Sequence, residues 1–184
     1  MDAPVAQQFK IADQDWEFDQ IHRLNYRTFV EEIPQHAATS SRVLVDRFHK
    51  ENTYIICLRA DQLVGMIAVR GARPFSLDEK LEHLDSYLPV GRSVCEIRLL
   101  AVDREHRGGQ VFWGLGQCLV EHCKRQKYDL AIISGTVRQH KLYKHLGFVP
   151  FGPLVGTSEA SFQPMYISLE AFEERAKELL RNSG

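Results

Sequence analysis

Residues 99–115, LLAVDREHRGGQVFWGL, hold the transition on which the fold turns: an apolar extended run, a charged glycine-containing turn, then a helical pattern. The strand is predicted over Val94–Val102, interrupted only by Glu96 and Arg98. The turn is Asp103–Gly109, and the helix follows from about Gln110 to Lys127. Val111, Leu115, Cys118, Leu119 and His122 fall on one face of that helix, with Glu121, Lys124 and Arg125 away from it. A helix start exposes unpaired backbone N–H groups and a partial positive charge, so it draws phosphate. Gly108 and Gly109 let the backbone approach a ligand, and Arg104 and Arg107 add charge. A plain strand-to-helix connection would use the same residues, since the P-loop lysine pattern is absent.

Outward from this stretch the chain alternates strand and helix, the pattern of an α/β or α+β domain. A strand at Gln7–Ile11 precedes a helix over Asp15–Glu32, with Asp13 or Asp15 as N-cap and Pro34 as its stop. Tyr54–Leu58 and Leu63–Val69 are β-rich runs joined as a hairpin through Arg59–Gln62. Ser76 and Glu79 form a capping box for a short helix over Ser76–Leu88, apolar at Leu77, Leu81, Leu84 and Leu88. Leu130–Ser134 reads as a buried strand and Val137–Leu146 as a helix closed by Gly147. Phe148–Phe151 and Met165–Ile167 are the last strands. A C-terminal helix, capped by Ser168, carries Leu169, Phe172, Ala176 and Leu179. The order is β-α-β-β-(α)-β-α-β-α-β-β-α, and one domain over residues 1–184 is expected, with its core in about 7–168 and the last helix over 169–181.

Composition narrows the function. The 184 residues are 44% hydrophobic and 26% charged, the balance of a globular chain. Lys plus Arg is 23 and Asp plus Glu 24, so nothing electrostatic recommends nucleic acid as a partner. No run is long and apolar enough to span a membrane, and MDAPVAQQFK lacks a signal-peptide pattern, so a cytoplasmic location is expected. Cys57, Cys95, Cys118 and Cys123 contain no Cys-x-x-Cys pair, and disulfides are not expected. Cys118 and His122 could share a helix face, but structural zinc wants four ligands at tighter, paired spacings. No metal is expected.

Together with KLYKHLGFVPFG at residues 141–152, the opening stretch resembles the GNAT superfamily of acyltransferases. The resemblance implies a central mixed, mostly antiparallel sheet flanked by helices, splayed near Glu96–Val102. It also implies a turn that cradles the coenzyme A pyrophosphate, here Arg107, Gly108, Gly109, Gln110 and Val111. The backbone of Leu100, Ala101 and Val102 would bind the pantetheine arm, and Tyr143 would lie beside the sulfur. The usual small residues of the turn fall on Gln110 and Phe112, and the phenylalanine is expected to narrow the cradle. Tyr26-Arg-Thr-Phe-Val-Glu-Glu32 and Glu96-Ile-Arg98 look like segments of the N-acyl amino acid synthases and acyl-homoserine lactone synthases. Those relatives join an acyl chain, from acyl-CoA or an acyl carrier protein, to the amine of an amino acid or its derivative.

Aminolysis of a thioester needs a neutral amine, a polarised carbonyl and a proton for the departing thiolate. Tyr143 is the candidate proton donor, or else a core tyrosine. Glu96 is the candidate base, or half of a buried pair with Arg98 that orders the sheet, and Arg98 could instead grip an acceptor carboxylate. Arg27 and Phe29 are candidate substrate contacts, and Trp113, Tyr26 and Phe29 could line an acyl pocket. Two functions stay open. One is an N-acyltransferase using acetyl-CoA, longer acyl-CoA or an acyl carrier protein with a small-molecule amine. The other is a non-catalytic module binding an acyl thioester or a partner protein.

Overall fold

In the computed structural model, which describes residues 6–182, helix α1 (Asp15–Tyr26) begins where Glu17 reaches back over its own first turn. Glu17 Oε2 accepts from the backbone N–H groups of Asp13 (2.8 Å) and Gln14 (3.1 Å), and Lys10 Nζ lies 2.7 Å from Oε1. Gln14 therefore holds the cap position in place of Asp13 or Asp15. The predicted Asp15–Glu32 helix is one continuous stretch, but its last six residues, Arg27–Glu32, wind as a π-helix closed by Ile33 N–H donating to Thr28 O at 2.9 Å. Residues 1–5, within the stretch read for a leader, and the side chain of Leu179 lie outside the described residues.

The chain packs as two compact units, residues 1–69 with 99–119 and residues 70–98 with 120–184. In the first, β1 (Gln7–Ile11), β2 (Thr53–Arg59) and β3 (Gln62–Arg70) form an antiparallel set with Phe9 opposite Cys57 and Ile55 opposite Ile67. The predicted hairpin closes through Ala60 (φ 48°) and Asp61 (φ 58°), the two left-handed residues that a tight turn between twisted strands needs. Ile21 and Leu24 of α1 are buried against Tyr54, Ile56, Leu63 and Met66. Each such side chain contributes about 1.5–3 kcal/mol of burial.

His22 is buried on the same helix, edge-on to His49 with ring centroids 4.6 Å apart. Burial, then the His49 charge, pull its pKa below 6.5, while Asp19 and Asp46 pull weakly the other way. His122 in the second unit is lowered by burial and by Arg125. Above the unfolded value of about 6.5 both states are neutral and nothing is gained. Below it the unfolded chain takes up protons that the folded chain resists, so stability is lost as pH falls. Urea unfolding is expected to show a flat free energy from pH 8 to 7 and a decline towards pH 5. His22→Gln should flatten that decline, and an unchanged slope would show that His22 protonates freely in place.

In the second unit the first half of β4 (Val94–Val102) pairs in parallel with β5 (Leu130–Thr136), from Val94 opposite Leu130 to Glu96 opposite Ile132. β5 then pairs antiparallel with β8 (Ser161–Ser168), which also takes β6 (Val149–Pro150) and β7 (Val155–Gly156) antiparallel. The pairings are thus mixed and mostly antiparallel, as expected. A 3₁₀ turn, Val137–Gln139, leads into α3 (His140–His145), together spanning the predicted helix. The last helix, α4 (Leu169–Asn182), is capped as predicted, Ala171 N–H donating to Ser168 Oγ at 3.1 Å. β4 and α2 (Gln110–Gln126) run from one unit into the other, as does the last residue of β3, Arg70. Among the described residues no helix is long and apolar enough to cross a membrane.

The helix predicted over Ser76–Leu88 does not form. Residues 76–83 are turns, His83 takes φ 56°, and only Leu84–Tyr87 winds into a short 3₁₀ helix. Ser76 is not a cap, because its hydroxyl and its N–H both go to the Glu96 carboxylate, and Asp78 Oδ2 accepts from Phe75 N–H (2.7 Å). The apolar positions still serve the core: Phe75, Leu77, Leu81, Leu84 and Leu88 are buried with Leu130, Ile132 and Phe151.

Candidate active site

Site chemistry in the first unit grows from a break in β4. Leu99 sits at φ 54°, a left-handed residue inside a strand, which marks a bulge and costs about 1–3 kcal/mol. Leu100, Ala101 and Val102 follow it, and Asp103 ties the end of the strand down by donating its N–H to Val64 O at 2.9 Å. Asp103 Oδ1 accepts from Glu105 N–H (3.2 Å), which folds Arg104–His106 into a 3₁₀ turn. Arg107 then turns back, Nε donating to Val102 O at 2.9 Å. Of the backbone expected to bind the pantetheine arm on Leu100–Val102, the Val102 carbonyl thus already accepts one hydrogen bond from the chain itself.

The two glycines are open. A Cβ added at Gly108 or Gly109 would meet nothing within 4 Å, and Gly109 adopts φ 94°, a conformation side chains rarely take. Phe112 does not crowd them; its ring is half-buried, edge-on to Trp113 with centroids 5.4 Å apart. The bulk of Phe112, in the first turn of α2, thus stays clear of the two glycines themselves. Gln110 opens the helix and is exposed, while Val111 is buried, its Cγ1 only 2.5 Å from where a Cβ on Gly65 would lie. Only the Val111 backbone can thus serve a ligand.

Charge around this turn is paired. Arg27 Nη2 lies 3.2 Å from Asp103 Oδ2, and Glu32 Oε2 lies 2.8 Å from Arg107 Nη2 and 3.9 Å from Arg104 Nη2. Phe29 is half-buried and packs, with Leu99, against the core of the unit. Tyr26 is buried, its hydroxyl donating to Thr39 O (3.1 Å) and accepting from Thr39 N–H (3.2 Å). It is a core tyrosine holding the loop after α1.

Two groups stand in the second unit. Glu96 is 1% exposed, and its carboxylate accepts from Ser76 N–H (3.0 Å) and Ser76 Oγ–H, with Arg98 Nη1 3.6 Å away. Arg98 lies on the Glu96 side of the strand, as the two-residue spacing predicts. Tyr143, on α3, donates its hydroxyl to Gln139 Oε1 at 3.0 Å and rests edge-on to Phe148. Gly135 of β5 leaves the ring its place, since a Cβ there would come 2.9 Å from Tyr143 Cδ2. Burial raises the Tyr143 phenol above its usual 10, so it stays protonated at neutral pH.

Sequence reasoning missed Ser76, Glu32, Asp103 and Gln139. Ser76 partners a residue twenty positions away and Glu32 pairs across 75. Neither separation leaves a local pattern. Cys57 is buried and its thiol is pushed up to about 11, and Cys95 and Cys123 face each other with sulfurs 4.0 Å apart. No group of three or more His, Cys, Asp or Glu side chains among the described residues could hold a metal ion.

Similarity places these features. An acyl-homoserine lactone synthase that is CoA-dependent, BjaI, solved with SAM and isopentyl-CoA, superimposes with a TM-score of 0.72 at 19% identity, over 88% of this chain and 81% of that one. FeeM, an N-acyl amino acid synthase from uncultured soil microbes, gives 0.70 at 17% identity, over 92% and 94%. An acyl-CoA N-acyltransferase from Pseudomonas aeruginosa gives 0.59 at 14%, over 88% and 97%. The fold is therefore the GNAT-like acyltransferase fold. No curated protein sequence matches. The sequence profile of the N-acyl amino acid synthase FeeM matches residues 20–167, most of the length, and the chain belongs to that family.

Proposed function

We propose that the protein is an N-acyltransferase, moving an acyl group from the thioester of acyl-CoA to the amine of a small molecule, and that this acceptor is an amino acid. The observation that carries the reading is the open pair Gly108–Gly109, with Gly109 at φ 94°, presented where the bulged strand β4 feeds helix α2. Unpaired N–H groups there suit the phosphates of a coenzyme-bearing donor. We place the whole chain in one catalytic domain.

In this reading the acceptor nitrogen attacks the thioester carbonyl, the C–S bond breaks, and the thiolate takes the Tyr143 proton. Gln139 holds the phenol in one orientation until then. Glu96 has both oxygens engaged, which suits it to positioning Arg98 better than to carrying a proton. Arg98 is the group placed against an acceptor carboxylate, and Leu100 and Ala101 offer their backbone to the pantetheine arm. Arg27, tied to Asp103, and Phe29, packed on the core, support the turn in place of touching substrate.

A thermal-shift series with acetyl-, octanoyl- and palmitoyl-CoA tests the donor. A thioester at a hundred times its Kd adds about 2.7 kcal/mol to stability. At about 2–4 °C per kcal/mol for a chain of this size, Tm is expected to rise by about 5–10 °C. Release of free thiol on adding mixed amino acids completes the test. A shift without thiol release would leave a binding module, and no shift with any thioester would remove the donor.

A further inference from the structure

We infer that Ser134 is a second anchor for the acceptor amino acid, its hydroxyl donating to the carboxylate that Arg98 is placed against. The inference rests on the acyl-transfer reading and deepens it by adding a specificity-determining residue. Ser134 lies on β5, and its Oγ is shut away from solvent with no hydrogen-bond partner among the described residues. A buried hydroxyl left unpaired works against folding, and native structures keep few of them. On the β8 side Ser134 stands opposite Pro164, a buried ring whose carbonyl already accepts from Phe151 N–H. Proline offers the hydroxyl no N–H and no polar side chain.

On the β4 side the ladder runs from Val94 opposite Leu130 to Glu96 opposite Ile132. Two residues further along each strand, and so on the same face, come Arg98 and Ser134. Arg98 does keep to that face, with Nη1 3.6 Å from Glu96 Oε2 and a side chain only 15% exposed. The face that carries a half-sequestered guanidinium therefore carries, at the next position of β5, a hydroxyl that the fold leaves unused. The two suit one ligand group. Arginine brings charge and N–H donors, serine brings an O–H, and a carboxylate has two acceptor oxygens to meet them. Held at both oxygens, an amino acid cannot swivel about its carboxylate, which aims its α-amine in one direction.

The test follows thiol release from the acyl-CoA that gives the largest thermal shift, with each common amino acid and the amine left by removing its carboxylate. The fastest amino acid and its matched amine are then compared in wild type, Ser134→Ala and Ser134→Thr. Losing a hydrogen bond to a charged group should raise KM for the amino acid about ten- to hundredfold in Ser134→Ala. Its kcat should stay within about threefold, the mark of a contact made equally before and during reaction. The matched amine should keep its kcat/KM within about twofold, since it has no carboxylate to lose hold of. Ser134→Thr, which retains the hydroxyl, should hold KM within about fivefold of wild type. Because the hydroxyl is unpaired in the free protein, Tm of Ser134→Ala should hold or rise. An unchanged KM, a loss shared equally by amino acid and amine, or release with amines alone would each overturn the inference and leave acyl transfer in place. A fall in Tm beside an unchanged preference for the carboxylate would make the hydroxyl structural. No release with any acceptor would take the acyl-transfer reading and this inference together. Should Ser134→Ala not fold, Ser134→Cys, of similar shape with a far weaker donor, carries the same comparison.

Discussion

Replacing Tyr143 by phenylalanine should lower kcat by about two to four orders of magnitude, the usual contribution of a positioned general acid. The ring would keep its edge contact with Phe148 and its seat over Gly135, so packing is preserved. The hydrogen bond to Gln139 is lost, worth about 0.5–1.5 kcal/mol, which should show as a small fall in Tm. Donor affinity, read by titration, should move less than threefold, because the hydroxyl is needed only when the thiolate leaves. A donor affinity that collapses while kcat holds would make Tyr143 a structural residue and end its assignment as the acid.

Ser76→Ala should destabilise the fold by about 1.5–3 kcal/mol. Alanine keeps the N–H that reaches Glu96 Oε2 but removes the hydroxyl that reaches Oε1, in a carboxylate only 1% exposed. A buried charge that loses a donor costs more than an ordinary hydrogen bond. At about 2–4 °C per kcal/mol the expected fall in Tm is about 3–12 °C. Ser76→Thr, which retains the hydroxyl, should recover much of it. In a Glu96→Gln background the serine substitution should cost far less, since no charge remains to be satisfied. A Tm unmoved by Ser76→Ala would mean that water or Arg98 satisfies Glu96 without the serine.

These two residues also mark how far the sequence could be read. Tyr143 stood inside a local pattern, LYKHLGF, and the strand, turn and helix of residues 94–127 followed from hydrophobic period and glycine placement. Ser76 was misread because Ser-x-x-Glu is a capping signal only where the hydroxyl is free to cap, and here a buried carboxylate takes it. Strand β8 is longer than the Met165–Ile167 run that its apolar residues mark. It runs Ser161–Ser168 and includes Pro164, which sits opposite Ser134, its carbonyl accepting from Phe151 N–H at 2.9 Å. A proline lacks one donor and keeps its acceptor, so a strand passes through it where only the acceptor is used. Which way α2 carries Phe112 depends on helix phase, which the residue types of the turn do not encode; its ring lies edge-on to Trp113.

The π-helical winding of Arg27–Glu32 decides which way its two end charges face. Along an ordinary α-helix, five residues turn through about 500°, leaving the first and last about 140° apart around the axis. A winding with i→i+5 bonds brings them back to nearly the same side. That is what lets Arg27 and Glu32 both face the Asp103–Arg107 turn. The segment is in effect an α-helix with a residue inserted. The same six residues wound as an ordinary α-helix would keep their hydrogen bonding, yet would rotate one of the two charges about 100° out of reach. A change of winding in this turn, with no change in any side chain, would therefore be enough to uncover or to cover the arginines.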